Sequence, residues 1–306
     1  MAEENIKNVK YTFLLPAYKA AFFAEALDSI KKQSYYNFKV IVSDDFSPEN
    51  LKKIYDSIVG SDSRFVYRRN DVNMGGKSLV SHWNLLVDMC DTEYMIMASD
   101  DDIYEPDFLK DINILVDKYP QVDILRARAR RIENEVTTCE DGDIPELLPQ
   151  EEFLKYFGQK TMVLCLANYV FRTSALKAMG GFPDFPTAAK SDTATAICLS
   201  KKGIATTKDI QFSFRMSNEN LSSSNGYDKN TIKTAEANIM FADWYREKYG
   251  ETYPYKYAVE GVGYYLMARM SLCESIRYAI KFKKRGYYIG IKPLFTMTKN
   301  WIKIHI

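Results

Sequence analysis

Short apolar runs alternate with stripes of helical spacing over roughly the first 130 residues of the chain. The apolar residues at positions 23, 26, 27 and 30, for example, would lie along one face of a helix. Strands that alternate with helices of this length form βαβ units, so we predict an α/β fold with a mostly parallel central sheet flanked by helices. The five predicted strands are Tyr11–Leu15, Phe38–Val42, Arg64–Arg68, Tyr94–Ala98 and Gln121–Ala127.

Three of the helices between these strands have recognisable signals. Ser47 and Pro48 suit a helix start, because serine caps helices and proline is favoured at the first helical position. A second helix is predicted from Ser78 to Cys90, and Pro106 would open a third. The predicted inward face of the second helix consists of Leu79, Trp83, Leu86 and Cys90.

The rhythm of the pattern changes after Arg131. The segment from Glu133 to Gln150 is acidic and polar and contains two prolines, which predicts a loop or linker. A strand at Val163–Phe171 and a helix at Asp192–Lys201 follow, and the pattern is helical from Asn230 onward. We expect a main domain at residues 1–228, with halves at about 1–130 and 131–228, and a helical C-terminal region at residues 229–306.

The composition narrows the function classes. The chain is 46% apolar and 26% charged, as expected of a globular protein, and its net charge is +1. The absence of a chain-wide basic field argues against a nucleic-acid partner. The longest uncharged stretch, Thr161–Phe171, is too short to cross a bilayer of about 30 Å as a helix. No apolar segment precedes the first strand, so we expect no secretory signal and a cytoplasmic protein.

Cysteine and histidine are too sparse for thiolate or multi-histidine chemistry. The five cysteines contain no Cys-x-x-Cys pair, and the two histidines are His82 and His305. These counts argue against a disulfide framework, a cysteine zinc site and a multi-histidine metal site. We therefore expect carboxylates to perform the acid–base work, and we interpret His82 and Trp83 as packing residues.

Carboxylates cluster where two of the predicted strands end. The pair Asp44–Asp45 follows the second strand, and the triplet Asp100–Asp102 follows the fourth. Ligands of parallel sheets bind beyond the carboxyl ends of the strands. Adjacent carboxylates repel one another, so the triplet favours a divalent cation such as Mg²⁺ or Mn²⁺. The alternative is a solvated turn in which Asp102 caps the helix at Pro106.

Two motif-like segments lie near these carboxylates. An EF-hand that starts at Asp100 is excluded, because Glu105 stands where that loop needs glycine. The segment Gly75–Ser78 resembles the end of a P-loop, but Asp71 stands where the motif requires its first glycine. A nucleoside triphosphatase is therefore only a weak alternative. The backbone amides of the glycines still allow a ligand to approach closely.

Seven segments, in order over about 210 residues, together carry a family resemblance. They are Phe13–Tyr18, Val40–Ser47, Asn73–Gly75, Tyr94–Leu109, Gly180–Pro183, Lys190–Asp192 and Phe214–Asn220. With these segments the N-terminal two-thirds of the chain resembles the family 2 glycosyltransferases, which are inverting enzymes of the GT-A fold that use nucleotide-activated sugars.

The resemblance implies a role for each matching position. Asp44 would accept the N3–H of a uracil base. Asp100 and Asp101 would form the acidic motif that holds ribose, metal and diphosphate, with Asp101 as the ligand of Mn²⁺ or Mg²⁺. Asp192 takes the place of the catalytic base. Further nucleotide-sugar contacts are implied for Pro16, Ala17, Tyr18, Asn73, Gly75 and Lys77.

The chain departs from the family pattern beside several of these residues. Phe46 replaces the usual glycine after the Asp pair, and Ser99 replaces the first acid of the common Asp-x-Asp-Asp motif. The helix after the glycines lacks the usual Ala-Arg-Asn, which leaves Lys77 as the nearest cation. Ser191 stands where glutamate usually precedes the catalytic aspartate, and Ser217 stands where some members place a metal-binding histidine.

The implied activity is the transfer of a single sugar from a nucleoside-diphosphate sugar, with UDP as the expected nucleotide. The implied acceptor is a hydroxyl of a cell-surface glycan or a lipid-linked precursor. The reaction would be a metal-assisted direct displacement that inverts the anomeric configuration. The alternative function is a catalytically inactive GT-A-like protein that binds sugar nucleotides or serves as a scaffold.

The last part of the chain is basic and aromatic. The segment Ser275–Ile306 contains eight Lys or Arg residues and no acidic residue. Such a segment could hold the protein at the surface of an anionic membrane. A helix that packs on the catalytic domain with its lysines in water is the other interpretation, and the sequence leaves both open.

Overall fold

The computed structural model describes residues 9–159, 162–217, 229–250 and residue 280. The chain divides into two compact units. The first comprises Met1–Asp184 and Ser191–Ser217, and the second comprises Phe185–Lys190 and Asn218–Ile306. The first unit contains the sheet and the predicted site residues.

The first unit is built on a mixed sheet. Its strands are β1 (Tyr11–Ala17), β2 (Phe38–Asp44), β3 (Phe65–Arg69), β4 (Tyr94–Met97), β5 (Ile103–Tyr104), β6 (Ile124–Glu133), β7 (Val136–Glu140), β8 (Leu147–Leu148), β9 (Tyr169–Arg172) and β10 (Ile204–Met216). They follow the order β3-β2-β1-β4-β9-β6-β10-β5, with β7 beside β6 and β8 beside β10. The pairs among β3, β2, β1 and β4 are parallel, and so is β6 with β10. β9 runs antiparallel between β4 and β6.

Helices connect and cover these strands. They are α1 (Phe23–Lys31), α2 (Leu51–Val59), α3 (Leu79–Met89), α4 (Phe108–Lys118), α5 (Gln150–Gln159), α6 (Thr173–Ala178) and α7 (Ser191–Leu199) in the first unit, and α8 (Lys229–Tyr249) in the second. Within the second unit, the Phe185 ring packs edge-on against Phe241 of α8. The α/β fold with a mostly parallel sheet flanked by helices is therefore confirmed.

The core lies on both faces of the parallel strands. Every residue of β1 except Pro16 is buried, because helices cover the central strands of such a sheet on both sides. Aromatic rings on one side form a connected cluster, in which Tyr104 contacts Phe13, Phe108 and Phe212 at centroid distances of 4.8–5.1 Å. This packed layer holds the carboxyl ends of β1, β2 and β4 in fixed positions.

Three predictions of local structure were wrong. Glu133–Gln150 is not a plain loop, because β6 extends to Glu133 and turns back through β7. Only the end of Val163–Phe171 is a strand, because the turn at Leu166–Asn168 precedes β9. The helix expected at Pro48 begins at Leu51, where Asn50 caps it by accepting the Lys53 N–H. The Ser47 hydroxyl accepts the Glu49 N–H at 3.1 Å within a turn that precedes the helix, and Asn50 then supplies the cap.

The buried face of α3 also differs from the prediction. The buried residues of this helix are Val80, His82, Leu86 and Val87, whereas Leu79 and Trp83 are only half-buried. Seven of the eleven residues of α3 are apolar, and they occur on more than one side of the helix. Their spacing alone therefore could not show which face is buried. A buried polar network that includes His82 turns that side inward.

Candidate active site

The carboxyl ends of β1 and β2 place the predicted base-binding residues side by side. Ala17 is in register with Asp44, because the two strands are parallel neighbours. The Asp45 N–H donates to the Ala17 carbonyl at 2.9 Å, and the Ser47 hydroxyl donates to the Tyr18 carbonyl at 2.5 Å. The structure thus brings Pro16, Ala17 and Tyr18 next to Asp44, and the Tyr18 side chain is 41% exposed.

Asp44 is fully buried and already accepts three hydrogen bonds. Its Oδ1 accepts the Ser47 N–H at 2.8 Å, and its Oδ2 accepts from the Tyr67 hydroxyl and the Arg69 guanidinium, both at 2.5 Å. Burial, followed by the hydrogen bond to Asp44, raises the pKa of Tyr67, so this hydroxyl keeps its proton. A carboxylate and a guanidinium are therefore held together at the end of β2.

Asp45 organises the glycine turn. Its carboxylate accepts the N–H groups of Met74 and Gly75 at 2.9 and 2.7 Å and an Asn70 amide N–H at 2.8 Å. A Cβ atom on Gly75 would lie 2.9 Å from Asp45 Oδ2, which explains the glycine. Sequence analysis placed Asp45 at a strand end but gave it no role. The sequence feature that could have revealed this role is the position of Asp45 as the second acid of a pair that is followed by a glycine-containing segment.

His82 supports Asp45 from below. Its Nε2 lies 3.0 Å from the Ser43 hydroxyl, and its Nδ1 lies 3.6 Å from Asp45 Oδ2. Burial lowers the pKa of His82, although Asp45 opposes this shift. The interpretation of His82 as a packing residue is incomplete, because the ring packs and also completes the network that holds the glycine turn.

Asn73 and Lys77 lie on the same turn. Asn73 Oδ1 accepts the Gly76 N–H at 2.5 Å, so the Asn73 side chain shapes the turn. The Lys77 backbone N–H donates to the Met74 carbonyl at 2.9 Å, and its side chain is exposed. The predicted nucleotide-sugar residues Asn73, Gly75 and Lys77 are therefore joined to the end of β2 through Asp45.

The acidic loop after β4 faces the end of β1. Asp100 Oδ2 accepts the backbone N–H groups of Tyr18 and Lys19, each at 2.8 Å. The Lys19 ammonium lies 2.8 Å from Asp101 Oδ2 and 3.6 Å from Asp100 Oδ1. Burial is the main cause that raises the pKa of Asp100, and Lys19 opposes it. The backbone that directly follows β1 and the Lys19 ammonium thus hold both predicted acids.

Asp102 points into the protein and does not cap α4. Its Oδ1 accepts the Arg215 N–H at 2.9 Å, and its Oδ2 accepts from the Ser99 hydroxyl. Burial, followed by repulsion from Asp101, raises the pKa of Asp102 to about 7. The Arg215 guanidinium also donates to the Asp101 carbonyl at 3.0 Å. Arg215 thus anchors the acidic loop, and sequence reasoning did not single it out, although its segment belongs to the family resemblance.

Asp192 lies in the first turn of α7, on the same unit as the acidic loop. Its Oδ1 accepts the Thr193 N–H at 2.6 Å. The Cys165 thiol lies 3.7 Å from Asp102 Oδ2. Burial raises the pKa of this thiol most, and the carboxylates of Asp102, Asp192 and Asp101 add to the rise. Asp192, from a distant part of the sequence, therefore belongs to the same unit as the acidic triplet.

The acidic loop can offer a metal ion only a small set of protein ligands. Within the described ranges there is no group of three or more His, Cys, Asp or Glu side chains that could hold a metal ion. Asp102 is committed to internal hydrogen bonds, which leaves Asp101, paired with Lys19, as the candidate ligand. One carboxylate suits Mg²⁺ or Mn²⁺ when substrate phosphates and water supply the other oxygens. The residues fit such a cation on that condition.

A comparison with known protein families decides the class. Residues 12–180, more than half of the chain, match the family described as Glycosyl transferase family 2. The chain belongs to this family. The matched residues include the ends of β1, β2 and β4 and the glycine turn, which form the site described above. The resemblance predicted from the sequence segments is confirmed, and the protein is a glycosyltransferase rather than a non-catalytic scaffold.

Solved structures of low sequence identity share the fold. TarS 1–349 from S. aureus, in complex with UDP-GlcNAc, matches with a TM-score of 0.62 at 17% identity, over 85% of this chain and 72% of that chain. The mannosyltransferase PcManGT from Pyrobaculum calidifontis, in complex with GDP-Man and Mn2+, matches with a TM-score of 0.58 at 15% identity, over 99% of this chain and 82% of that chain. The GT-A assignment of the fold is confirmed.

Two further searches gave negative results. No curated protein matches the sequence. Among the described residues, no helix has the length and apolar character needed to cross a membrane.

Proposed function

We propose that this glycosyltransferase moves one sugar from a UDP-sugar to a hydroxyl group of a cell-surface glycan or lipid-linked precursor, with inversion at the anomeric carbon. The observation that carries the proposal is the hydrogen bonding at the end of β1, whose backbone joins the turn after Asp44 on one side and the acidic loop at Asp100 on the other. Asp192 lies on the same unit. Each carboxylate takes a different part of the donor or acceptor.

The base end of the donor is assigned to Asp44. Uracil offers an N3–H donor beside a carbonyl acceptor. The Asp44 carboxylate is covered by Arg69 in this structure, and it would accept the N3–H once the Arg69 guanidinium turns to the neighbouring carbonyl of the base. Pro16, Ala17 and Tyr18 would line the nucleoside pocket, because they continue β1 next to Asp44. Cytosine lacks the N3–H, so this pairing favours UDP over a cytidine nucleotide.

The diphosphate end is assigned to the acidic loop and the glycine turn. Asp101 would hold Mn²⁺ or Mg²⁺, which when bound supplies positive charge that neutralises the diphosphate. Asp100 fixes the backbone of Tyr18 and Lys19, and so shapes the wall against which the ribose would lie. Asn73, Gly75 and Lys77 would contact the donor from the other side of Asp44.

Asp192 is proposed as the general base. Its carboxylate would remove the proton from the acceptor hydroxyl while that oxygen forms a bond to the anomeric carbon. The bond from the anomeric carbon to the diphosphate oxygen breaks on the opposite face, and the electron pair leaves with the nucleoside diphosphate. Because one displacement occurs, an α-linked donor gives a β-linked product.

Two organisational expectations continue as parts of the proposal. Residues 1–228 would act as the GT-A domain, with the donor bound by about 1–130 and the acceptor by about 131–228, and residues 229–306 would form the helical C-terminal region. The protein would work in the cytoplasm. The basic segment Ser275–Ile306, which apart from residue 280 lies outside the described residues, would contact anionic lipids at the inner face of the membrane.

A donor panel tests the proposal. Hydrolysis of UDP-, GDP- and dTDP-sugars is measured with Mn²⁺, with Mg²⁺ and with chelator. We expect a UDP-sugar to be hydrolysed fastest and the rate to fall with chelator. Preference for a GDP-sugar would overturn the base assignment, and equal rates in chelator would overturn the metal assignment.

A further inference from the structure

Phe46 adopts a backbone conformation that glycine accepts readily and phenylalanine rarely adopts. Its φ is 57°, in the left-handed region. The turn enforces this angle, because the Asp45 N–H is bound to the Ala17 carbonyl and the Ser47 N–H is bound to Asp44 Oδ1. A side chain destabilises this conformation, whereas glycine does not. The backbone therefore offers no reason for a phenylalanine at this position.

The core offers no reason for Phe46 either. Its side chain is 49% exposed, so it contributes little buried apolar area. The Arg69 guanidinium carbon lies 5.0 Å from the centroid of the ring. Arg69 is itself fixed, because it donates to Asp44 Oδ2 and to the Ser47 carbonyl at 2.5 and 2.9 Å. The ring is thus held by an anchored cation while about half of the side chain stays open.

The position of Phe46 identifies the ligand that this open surface would meet. It follows directly after the Asp44–Asp45 pair, at the carboxyl end of β2. Tyr18, the other exposed aromatic residue of this region, is tied to the same turn by the Ser47 hydroxyl. Two exposed rings therefore accompany the buried carboxylate of Asp44. Flat aromatic surfaces beside a hydrogen-bonding group are suited to a nucleobase.

We propose that Phe46 is a nucleobase-binding residue whose ring stacks on the base of the donor, with Arg69 holding the ring in place. The inference rests on the proposed function, because it takes a nucleoside diphosphate as the ligand. Backbone strain in a residue that serves no packing role is a recognised feature of ligand sites. Stacking of a base on an aromatic side chain typically changes affinity by about 5- to 150-fold.

The substitution Phe46→Gly separates binding from stability. Glycine adopts the left-handed backbone without steric cost, so the melting temperature should be unchanged or higher. Loss of the ring should weaken UDP binding by about 5- to 150-fold. Phe46→Trp should retain UDP affinity within about threefold, because indole also stacks. The control is Asn134→Gly, which relieves another left-handed residue (φ 48°) in the β6–β7 turn and should leave UDP affinity unchanged.

Calorimetric titration of the full chain with UDP and with UMP in the presence of Mn²⁺, together with thermal unfolding, measures these effects. An equal loss of UDP and UMP affinity supports stacking, because both ligands carry the same base. If Phe46→Gly binds UDP within twofold of wild type, the stacking inference is wrong and the proposed function is unaffected. Failure of the wild-type chain to bind any nucleoside diphosphate would instead overturn the proposed function.

Discussion

The Lys19 ammonium pairs with the carboxylate of Asp101, with Nζ 2.8 Å from Asp101 Oδ2. The same ammonium lies 3.6 Å from Asp100 Oδ1, and the backbone N–H of Lys19 donates to Asp100 Oδ2. Although burial lowers the pKa of Lys19, the carboxylates of Asp100 and Asp101 raise it, and the net direction is upward. Lys19 is therefore charged, and a metal ion bound at Asp101 as proposed would share that carboxylate with it.

Removal of this ammonium should strengthen metal binding. In Lys19→Met, Mn²⁺ affinity in the presence of UDP should rise by about fivefold, because a partly exposed ion pair of about 1 kcal/mol no longer competes. Electron paramagnetic resonance of free Mn²⁺ measures the affinity. Lys32→Met, which removes an exposed lysine paired with Asp28, is the control. Unchanged or weaker Mn²⁺ binding by Lys19→Met would show that the two cations do not compete.

Asp101→Asn should abolish the metal dependence of UDP binding while the fold persists. The side chain keeps its size but loses the charge that we assign to the metal ion. UDP titrations with Mn²⁺ and with chelator should give the same weak affinity for this variant. The control is Asp107→Asn, which neutralises an exposed acid at the start of α4. This variant should still bind UDP more tightly with Mn²⁺ than with chelator. A wild-type metal response in Asp101→Asn would mean that the acidic triplet has another role.

Asp192→Asn should separate catalysis from structure. Asparagine can accept the Thr193 N–H as aspartate does, so the melting temperature and UDP–Mn²⁺ affinity should stay near those of wild type. It cannot take a proton, so sugar transfer to acceptor should fall by at least about a hundredfold. Asp209→Asn, a carboxylate on β10, serves as the control. Transfer within a few-fold of wild type would place the base elsewhere.

Protonation of His82 should destabilise the fold as pH falls. Burial lowers its pKa below the usual value of 6.5, so the unfolded chain takes up a proton before the folded chain does. The stabilisation is fully present above pH 6.5 and is lost as the pH falls toward the pKa of the folded state, by at most about 1.4 kcal/mol per pH unit.

Chemical denaturation at pH 8, 7, 6 and 5 tests this behaviour. The free energy of unfolding of His82→Gln should fall less steeply with pH than that of wild type. His305→Gln, which replaces the other histidine of the chain, should keep the wild-type slope. Parallel curves for His82→Gln and wild type would show that His82 does not titrate differently in the two states.

The basic C-terminal segment should bind anionic vesicles. Its lysines and arginines are expected to contribute about 1 kcal/mol each near such a surface, and salt should weaken the binding. Co-sedimentation with anionic and neutral vesicles at low and high salt measures it. Glutamine at positions 281, 283, 284 and 285 should reduce sedimentation with anionic vesicles. Equal partition under all four conditions would support the alternative that this segment packs on the protein.

The sequence by itself determined the α/β class, the first four strands and the positions of the clustered carboxylates. Buried parallel strands produce continuous apolar runs, and a parallel sheet places ligands beyond their carboxyl ends, so Asp44 and Asp101 could be located from local pattern. The segment Gly75–Ser78 could likewise be assigned to a turn. These inferences required only residues that are close in the sequence, because the spacing of apolar residues and the end of a strand are local properties.

Only the tertiary structure decided which side chains meet. The hydrogen bonds of Lys19 to the acidic loop and of Arg215 to Asp102 join residues 82 and 113 positions apart, and no local pattern encodes them. The buried face of α3 depended in the same way on the network between His82 and Ser43. Side-chain partners across a sheet depend on strand order, and strand order results from the packing of the whole unit rather than from any one segment.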